Sequence, residues 1–580
     1  MNSEKNTTHS INNINDHFKL PIYYNKNKIA LRKNIIADLE LTETLDPSCT
    51  PIYTYYFNSD NDLSKSLHEQ IAQHYTTDTT FLKDSQQLLK NYKPLGKKYT
   101  NYSNNYEKIT SLWNEIKMDT GFREKYYYMD WDMLEFLNRS ELFLQIMSLY
   151  NMASPVISLF IPIIILIIPF FIIKLKGLQI TISEYIEVLK VVIQTNAIGK
   201  LFTTFNEVST NEKIYLIISA AFYLFSIYQN IMVCIRFNNN MIKIHEHFNE
   251  IKYYLENTVE NMDNYLLYSE ELVSQKEFLN VVKDKKAVLV QFKTQISHIS
   301  EYKLTNHKKI SEIGLIMKQF YQLYEDVIIN DAFVYSFGFN GYIDCLEGLQ
   351  TNIEEQKINF SHFVNENKKT VIKNNYYACL KDETPVKNDI TFKKNMIITG
   401  PNASGKTTIL KSLLINILFT QQFGCGFYDS AKIAPFHHIH CYLNIPDTSG
   451  RDSLFQAEAR RCKEILDTIE ENKRETHFCV FDELYSGTNP DEAVISAKAF
   501  MEYIVKNENV SCLLTTHFIK VCKKLKKNVC ITNYHMETTK INQKLVYKYK
   551  LLPGISEIKG GISVLTDMNY PKEILDNTKL

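Results

Sequence analysis

The segment NMIITGPNASGKTTILKSLL, residues 395–414, constrains the fold of this 580-residue chain more than any other feature. Gly400, Gly405, Lys406 and Thr407 give the P-loop spacing GxxxxGK[ST], which binds phosphate when a strand precedes it and a helix follows it. The apolar run before the loop and the apolar positions after it supply that context. The segment therefore predicts a nucleotide-binding α/β domain with a largely parallel sheet.

The residues of this loop have predicted roles in binding ATP with Mg²⁺. Backbone N–H groups of the loop and of the following helix bind phosphate oxygens, because a helix N-terminus carries partial positive charge. The Lys406 ammonium neutralises the outer phosphates, and the Thr407 hydroxyl holds Mg²⁺. The predicted phosphate-binding residues are Gly400, Pro401, Asn402, Ala403, Ser404, Gly405, Lys406, Thr407 and Thr408.

A second segment, HFCVFDELYSGTNPDEA at residues 477–493, contributes two adjacent carboxylates. Its apolar run predicts a buried strand that ends at Asp482 and Glu483. Asp482 is predicted to organise Mg²⁺, and Glu483 to polarise the water that attacks the γ-phosphate. The next predicted strand, VSCLLTT, ends just before His517, which makes this histidine a candidate catalytic residue at the same sheet edge. A purely structural histidine is the alternative.

Composition narrows the range of partners only slightly. Lysine plus arginine equals aspartate plus glutamate, 65 each, so the chain has no net field that attracts nucleic acid or anionic lipid. A local basic groove is still compatible with this sum. The 11 cysteines form no CxxC pair, which favours a reducing compartment. The first 30 residues contain no apolar run of the kind found in a cleaved signal peptide.

Two uncharged apolar runs, residues 155–173 and 214–235, indicate a membrane. Each is long enough for a helix to cross about 30 Å of hydrocarbon. The interpretation is a transmembrane hairpin. A buried hairpin in a soluble core is the alternative, and Pro162, Pro169, Ser158 and Gln229 favour it. Lysines flank the runs on both sides, so charge does not decide the orientation. Two crossings place both termini on one side, and an ATP site requires that side to be the cytosol.

The remaining segments differ in composition and in the spacing of their apolar residues. Residues 201–313 contain no glycine or proline and have apolar residues at helical spacing, which predicts long helices that form an arm or lever. An ordinary helical bundle is the alternative. The predicted division is an Asn-rich, largely disordered N-terminus at 1–60, a helical segment at 61–147, a transmembrane hairpin at 148–236, a helical core or lever at 237–375 and the ATPase domain at 376–580.

From about residue 376 to the end, the chain resembles the ATPase domain of the DNA mismatch-repair MutS family. The resemblance is carried by PVKNDITFKKNMIITGPNASGKTT at 385–408, by DELYSGTNPDEA, by TTHF and by the tail HMETTKINQKLVYKYKLLPGISEIKGGISVLTDMNYPKEIL. The tail is similar to the family's strand, turn and helix, which transporter ATPases lack. No segment before about residue 240 resembles the family's mismatch-reading domain.

The resemblance implies an ABC-class ATPase that works as a dimer, either with itself or with a related MutS-like subunit. Each composite site is then closed by the partner, and Ser453 in SGRDSLFQAEARR reaches the partner's ATP. A helix N-cap is the alternative role of Ser453, and the two roles are compatible. Gln422 is similar to a glutamine that the family carries after the first helix of this domain.

Two functions follow as hypotheses. The first is a MutS-like ATPase that binds and hydrolyses ATP as a dimer to switch its helical arms, acting on DNA in mismatch repair or recombination. The alternative is a membrane-anchored mechanochemical ATPase that acts on a protein or membrane partner. A scaffold without activity is disfavoured because Lys406, Thr407, Asp482 and Glu483 are all present. The predicted location is a membrane with the ATPase domain on the cytosolic side, and a nuclear or viral-factory location is the alternative.

Overall fold

A computed structural model describes most of the chain. The described residues are 14–59, 61–95, 105–118, 120–177, 181–195, 197–203, 205–300, 310–365, 370–443, 453–541, 544–558, 570–571 and 573–574. They form two compact units. The first comprises Met1–Ser103, Glu260–Lys286 and Phe333–Leu580, and the second comprises Asn104–Val259 and Ala287–Ala332.

The helices are unusually long in the middle of the chain. They are α1 Ile14–His17, α2 Lys33–Asp38, α3 Ile52–Phe57, α4 Asp62–Ala72, α5 Thr79–Asn91, α6 Asn105–Met118, α7 Phe122–Lys125, α8 Glu141–Leu175, α9 Ile182–Thr195, α10 Ala197–Thr203, α11 Thr210–Ser269, α12 Lys276–Ile296, α13 Ile313–Glu325, α14 Val327–Glu354, α15 Lys406–Phe423, α16 Leu454–Glu471, α17 Pro490–Ile504 and α18 Ile519–Leu525. The 60-residue α11 agrees with the long helices predicted from the lack of glycine and proline.

The strands are short and belong to the first unit. They are β1 Lys28–Ala30, β2 His74–Thr76, β3 Asn359–Phe363, β4 Val371–Asn375, β5 Asn388–Thr391, β6 Asn395–Thr399, β7 Cys425–Gly426, β8 Ser430–Ile433, β9 His438–Tyr442, β10 His477–Asp482, β11 Val510–Thr516, β12 Ile531–Ile541 and β13 Lys544–Pro553. The chain is therefore mixed α/β with long helices, as predicted.

A six-stranded sheet organises the C-terminal part of the first unit. Its strand order is β13-β12-β6-β11-β10-β9, and the strands from β12 to β9 are parallel. Parallel strands of this kind are packed against other elements on both faces of the sheet, so their sequences are continuous apolar runs. Phe478, Cys479, Val480 and Phe481 of β10 are fully buried. Helices α16, α17 and α18 pack against this sheet. All five parallel strands end at one edge, where the P-loop leaves β6.

A five-stranded sheet in the order β5-β4-β8-β3-β7 crosses the predicted domain boundary at residue 376. Strands β3 and β4 precede that residue, yet they pair with β8, which follows it. The boundary is therefore wrong. Because β3 and β4 are short and contain several polar residues, they lack the apolar alternation that indicates a strand. The linear division at 61, 148 and 237 also differs from the two units, because α11 contributes residues to both of them.

The prediction of a largely disordered N-terminus at 1–60 is wrong for residues 14–59. Tyr53, Tyr56 and Phe57 of α3 are buried, and the Tyr56 and Phe419 ring centroids lie 3.7 Å apart. Tyr56 also donates a hydrogen bond to Asn416 Oδ1, at 2.7 Å. These aromatic residues supply enough apolar area to fix the segment against α15, although the Asn-rich composition around them suggests disorder. Residues 1–13 and 60 lie outside the described part.

The second unit contains the apolar runs. The run 155–173 lies within α8 and the run 214–235 within α11. Both helices are long and apolar enough to cross a membrane, judged by length and composition. The apolar window of α11 is 6% buried, and that of α8 is 28% buried. The transmembrane hairpin and the buried hairpin both stay predictions.

Candidate active site

The loop between β6 and α15 depends on two glycines. Gly405 has a φ of +89°, in the left-handed region, and a Cβ placed on it would lie 3.0 Å from Tyr549 Cδ1. A Cβ on Gly400 would lie 2.5 Å from Ser404 Oγ. Ala403 also has a positive φ, 61°. Because Gly405 has no side chain with which to cap α15, the first N–H groups of that helix are available to an anion.

Lys406 is a cation buried to 6% exposure beside this loop. Its Nζ donates to the carbonyl oxygens of Gly400 at 3.1 Å and Pro401 at 3.2 Å. Burial lowers the pKa of Lys406, and the charges of Glu483 and Asp482 act in the opposite direction. An ammonium held mainly by neutral carbonyls gains more from phosphate oxygens, because hydrogen bonds between charged partners are about twice as strong.

Asp482 joins the P-loop helix to the neighbouring strand. The Thr407 hydroxyl of α15 donates to Asp482 Oδ2 at 2.8 Å, and the Thr515 hydroxyl of β11 donates to Asp482 Oδ1. The two predicted Mg²⁺ ligands, Thr407 and Asp482, are thus in direct contact. Hydroxyl and carboxylate oxygens at this spacing suit a small hard cation, which usually takes one or two protein ligands and completes its shell with phosphate and water.

Glu483 and His517 form a contacting pair at the same sheet edge. His517 Nδ1 lies 3.2 Å from Glu483 Oε1, and Lys406 Nζ lies 3.9 Å from the same oxygen. The hydrogen bond from His517 lowers the pKa of Glu483, with the charges of His517 and Lys406 acting in the same direction and burial opposing them. Glu483 also has a positive φ of 51°, a backbone position that costs free energy and occurs often at functional sites.

These side chains surround a cavity of about 690 Å³. Loop residues 402–408, Asp482 and Glu483 line one part of it. The rest is lined by residues that the sequence does not point to: Tyr442, Leu454, Glu458, Ser486 and Tyr549. Tyr549 is the clearest omission, because it is a 45% exposed aromatic side chain with a positive φ of 54°. In the sequence, only its position within the tail segment YKYKL distinguishes Tyr549.

The other predicted residues lie in two different places. Ser453 is the N-cap of α16, where its hydroxyl accepts from the Gln456 N–H and the Gln456 Oε1 accepts from the Ser453 N–H. The N-cap role is therefore present in the structure, and Ser453 is exposed. Its contact with a partner's ATP stays a prediction.

Gln422, which the sequence gives as a possible site residue, does not lie at the cavity. It lies at the end of α15 opposite the P-loop, sixteen residues from Lys406, which corresponds to about 24 Å along a helix. Its amide group is buried and fully occupied: Nε2 donates to the carbonyls of Ile71 and His74, and Oε1 accepts from Tyr53. Gln422 thus fastens α15 to the N-terminal segment and does not touch the cavity.

The described residues contain no cluster of three or more His, Cys, Asp or Glu side chains that holds a metal by itself. Mg²⁺ bound by Thr407 and Asp482 therefore fits this cavity only together with phosphate oxygens, as is usual for nucleotide enzymes. Ser404 Oγ is buried in the loop without a hydrogen-bond partner. Because buried polar groups normally have a partner, this hydroxyl is suited to binding a polar ligand.

The part of the chain that contains this cavity is similar to known proteins. Residues 396–580 match the family model described as MutS domain V. The chain is 28% identical to the DNA mismatch repair protein MutS of Parabacteroides distasonis over 40% of its own length and 28% of that relative. It is also 28% identical to the same-named protein of Fusobacterium nucleatum, over 41% of this chain and 28% of that one.

A third relative, the DNA mismatch repair protein MutS of Staphylococcus epidermidis, is 26% identical over 32% of this chain and 21% of its own length. The chain therefore spans less than a third of the length of the curated relatives it matches. The matched region contains the P-loop, Asp482, Glu483, His517 and Tyr549. Residues 396–580 of this chain are therefore similar to MutS domain V.

Proposed function

We propose that this chain is an ATP hydrolase of the MutS type, with its active site in the cavity between the P-loop and the ends of β10 and β11. The observation that carries the proposal is the convergence of Lys406, Thr407, Asp482 and Glu483 on one 690 Å³ cavity. These residues come from the P-loop helix and from a strand that follows it by about seventy positions in the sequence. A stability role alone does not explain a buried lysine and two acids gathered around open space.

The chemistry assigned to each residue follows from its contacts. Loop N–H groups and Lys406 bind the phosphate oxygens and stabilise the charge that moves onto them. Glu483, kept ionised by His517, accepts a proton from the attacking water. The water oxygen forms a bond to the γ-phosphorus while the bond to the β,γ-bridging oxygen breaks, which releases ADP and phosphate. Mg²⁺, when bound, neutralises the β- and γ-phosphate oxygens.

Tyr549 is proposed to bind the nucleotide base. Its ring lies against Gly405 and forms one wall of the cavity. An exposed aromatic ring beside a phosphate site offers a stacking surface that fits any base. The neighbouring Tyr547 ring lies 6.3 Å away on the same strand, with 29° between the two ring planes.

The dimer and the DNA substrate are proposed on the basis of the family. Its relatives carry the name DNA mismatch repair protein, and Ser453 is exposed at a helix N-terminus where a partner's γ-phosphate is able to approach. Dimer formation would then depend on ATP. The dimer is proposed to form between two copies of the chain or with a related subunit, and to act on DNA during mismatch repair or recombination.

Lys406→Ala tests the nucleotide site. The variant removes the only lysine in the loop, so ATP affinity should fall by about 10²-fold, as expected for a lost charged contact of about 3 kcal/mol. Lys394→Ala is the matched control, because Lys394 is exposed and precedes the other end of the same strand. Equal ATP affinity of the two variants, measured by calorimetry, would remove the assignment.

DNA binding is tested with duplex and branched DNA over a range of salt concentrations, with and without ATP. Phosphate contacts give an affinity that falls linearly with the logarithm of salt concentration. The proposal predicts this slope and a change in affinity on adding ATP. No binding to either DNA at low salt would contradict the DNA function and favour the second candidate.

A membrane-anchored ATPase is the second candidate, favoured by the burial pattern of α8 and α11. Phe222, Leu224 and Phe225 of α11 are 70%, 65% and 55% exposed, and Phe171 of α8 is 59% exposed. Contiguous apolar surface of this extent marks a site of contact with a membrane or another protein. Both helices exceed the roughly 20 residues needed to cross the hydrocarbon.

The polar groups of these two helices face each other. Ser148, Asn151, Ser154 and Ser158 form a buried stripe along α8. Tyr223 OH donates to the Ser158 carbonyl at 3.1 Å, and Cys234 Sγ lies 3.4 Å from the Met152 carbonyl oxygen. Small polar residues between helices and apolar residues outside are typical of packing in lipid. The proposed location is a membrane, with the ATPase domain on the cytosolic side.

Flotation of the full chain with phosphatidylcholine vesicles, followed by an alkaline wash, tests this candidate. A spanning hairpin stays with the vesicles, because its apolar surface has no favourable alternative in water. A peripheral protein is released by the wash. Recovery of the chain as a dispersed species without vesicles or detergent would contradict membrane insertion and leave a protein partner as the occupant of this surface.

A further inference from the structure

Helix α16 is fastened along one side to the loop that follows Glu483. Leu454 contacts Gly487 closely enough that a Cβ on the glycine would lie 2.6 Å from Leu454 Cγ. The ring of Phe455 lies 5.7 Å from that of Tyr485. Positions 454, 458 and 462 share one face of a helix, and the loop of residues 484–488 lies along the N-terminal part of that face.

Glu458 makes the polar part of this attachment. It is 3% exposed, and its Oε1 accepts from the backbone N–H and the hydroxyl of Ser486, at 3.1 Å and 3.0 Å. Its Oε2 accepts from the Gly487 N–H at 3.2 Å. One buried carboxylate therefore receives three hydrogen bonds from two consecutive loop residues. Hydrogen bonds to a charged acceptor are worth about 1.5–3 kcal/mol each.

The loop needs such support because its backbone is strained. Glu483 and Tyr485 have φ values of 51° and 57°, both in the left-handed region. Non-glycine residues in that region cost on the order of 1–3 kcal/mol and persist when the surrounding structure holds them. The Tyr442 hydroxyl accepts from the Tyr485 N–H at 3.3 Å, so Tyr442 and Glu458 together bind the three successive N–H groups of residues 485–487, which begin two positions after Glu483.

We propose that Glu458 is a positioning residue that couples the N-terminus of α16, and thus Ser453, to the position of Glu483. Ser453 lies five residues before Glu458 on the same rigid helix. When Ser453 binds the γ-phosphate of the partner's ATP, the position of α16 becomes fixed. The bonds of Glu458 then fix the loop, and Glu483 is held against its own water. ATP bound to the partner thereby promotes hydrolysis in this chain.

This coupling rests on the proposed function, since it requires ATP hydrolysis in a dimer. It also assigns a direction to the coupling, from the partner's ATP to hydrolysis in this chain. Ser453, which reaches the partner's nucleotide, and Glu483, which activates water, are linked through the buried carboxylate of Glu458. Without the link, each of the two sites would hydrolyse ATP regardless of what the other site contains.

The test is a double-mutant cycle between Glu458→Gln and Ser453→Ala, with kcat, KM and ATP affinity measured for each variant. Glu458→Gln keeps the shape but removes the charge, so kcat should fall about tenfold while ATP affinity stays unchanged. In the Ser453→Ala background, the same substitution should leave kcat unchanged, because α16 no longer contacts the partner's γ-phosphate through Ser453. Glu464→Gln, an exposed change on the same helix, is the control and should have no effect.

An equal fold-decrease in both backgrounds would overturn the coupling, since Glu458 would then support the loop independently of the partner. A normal kcat for Glu458→Gln would overturn it too. If Glu458→Gln does not fold, Ser486→Ala replaces it, because Ser486 is exposed and its hydroxyl is one of the three donors. That variant should lower kcat about threefold only when Ser453 is intact. An undetectable wild-type rate would overturn the proposed function itself, which separates the two failures.

Discussion

The cavity next to the P-loop and the pair of apolar helices both depart from the usual burial of apolar side chains, the cavity by a buried charge and the helices by exposed apolar residues. At the cavity, Lys406 is 6% exposed and lies among acids, hydroxyls and N–H groups. In the helix pair, Ser158 is 5% exposed whereas Phe222 is 70% exposed. A protein in water pays a penalty for both arrangements, because buried charge and exposed apolar surface are each unfavourable there. The difference agrees with the two proposals, which assign a charged ligand to the cavity and an apolar medium to the helix pair.

The two regions also differ in their support from relatives. The family match covers residues 396–580 and so includes the cavity, but it includes neither α8 nor α11. The proposal for the cavity therefore rests on geometry and family together. The proposal for the helix pair rests on its burial pattern alone, which makes experiments on that region the more informative ones.

Phe222→Arg should produce the largest change if the apolar surface lies in hydrocarbon. A charge near the middle of a membrane-spanning helix costs about 2.5–3.5 kcal/mol, so the partition coefficient of the chain into vesicles should fall by about 10²-fold. Leu267→Arg is the matched control, since Leu267 lies on the same helix beyond the apolar run and is 68% exposed. Equal flotation of the two variants would show that the surface is not inserted.

Asp482→Asn tests the predicted Mg²⁺ site at the cavity. The amide keeps the size of the side chain but loses the negative charge, so the Mg²⁺ concentration needed for half-maximal hydrolysis should rise about 10- to 100-fold. Asp491→Asn is the control, because Asp491 is exposed and paired with Lys520 outside the cavity. A Mg²⁺ requirement that is the same in both variants would exclude Asp482 from the metal site.

Tyr549→Ala should weaken ATP binding about tenfold, since stacking of a base on an aromatic ring is worth about 1–3 kcal/mol. Inorganic triphosphate has no base, so its affinity for the variant should match that for the wild type. Calorimetry with both ligands separates the two contributions. If both affinities fall together, Tyr549 supports the loop through Gly405 and does not bind the base.

His517→Ala should have the smallest effect, a shift of the pH profile. Glu483 acts as a base only when ionised, and the hydrogen bond from His517 lowers its pKa. Activity is therefore retained above that pKa and lost as the pH falls through it. Removing His517 raises the pKa of Glu483, so the acid limb of kcat should move to higher pH. A limb that stays in place, or moves to lower pH, would contradict the assigned pair.

The sequence predicts the parts of the cavity that are close together in the chain. The strand at 395–399, the helix at 406–423 and the acids at the end of β10 all lie where the motifs place them. Local spacing suffices there because loop, strand and helix are consecutive. The long helix α11 is predicted for the same reason, since the lack of glycine and proline acts locally.

Residues that reach the cavity from a distance could not be predicted in this way. Glu458 and Tyr549 come from a helix and an edge strand, and only the fold brings them beside the P-loop. Gln422 shows the reverse error, because its proximity to the motif in sequence hides a position at the far end of α15. The order of residues 14–59 also depends on distant partners, chiefly aromatic side chains of α15.

ATP turnover by Glu483→Gln, measured together with ATP binding and molecular mass by light scattering, tests the central claim most directly. The amide keeps the size of the side chain but cannot accept the proton of the attacking water. Hydrolysis should fall by about 10²-fold or more while ATP still binds, and the protein should accumulate as an ATP-bound dimer. Hydrolysis at the wild-type rate by a variant that binds ATP normally would contradict the claim that this cavity is an ATPase site.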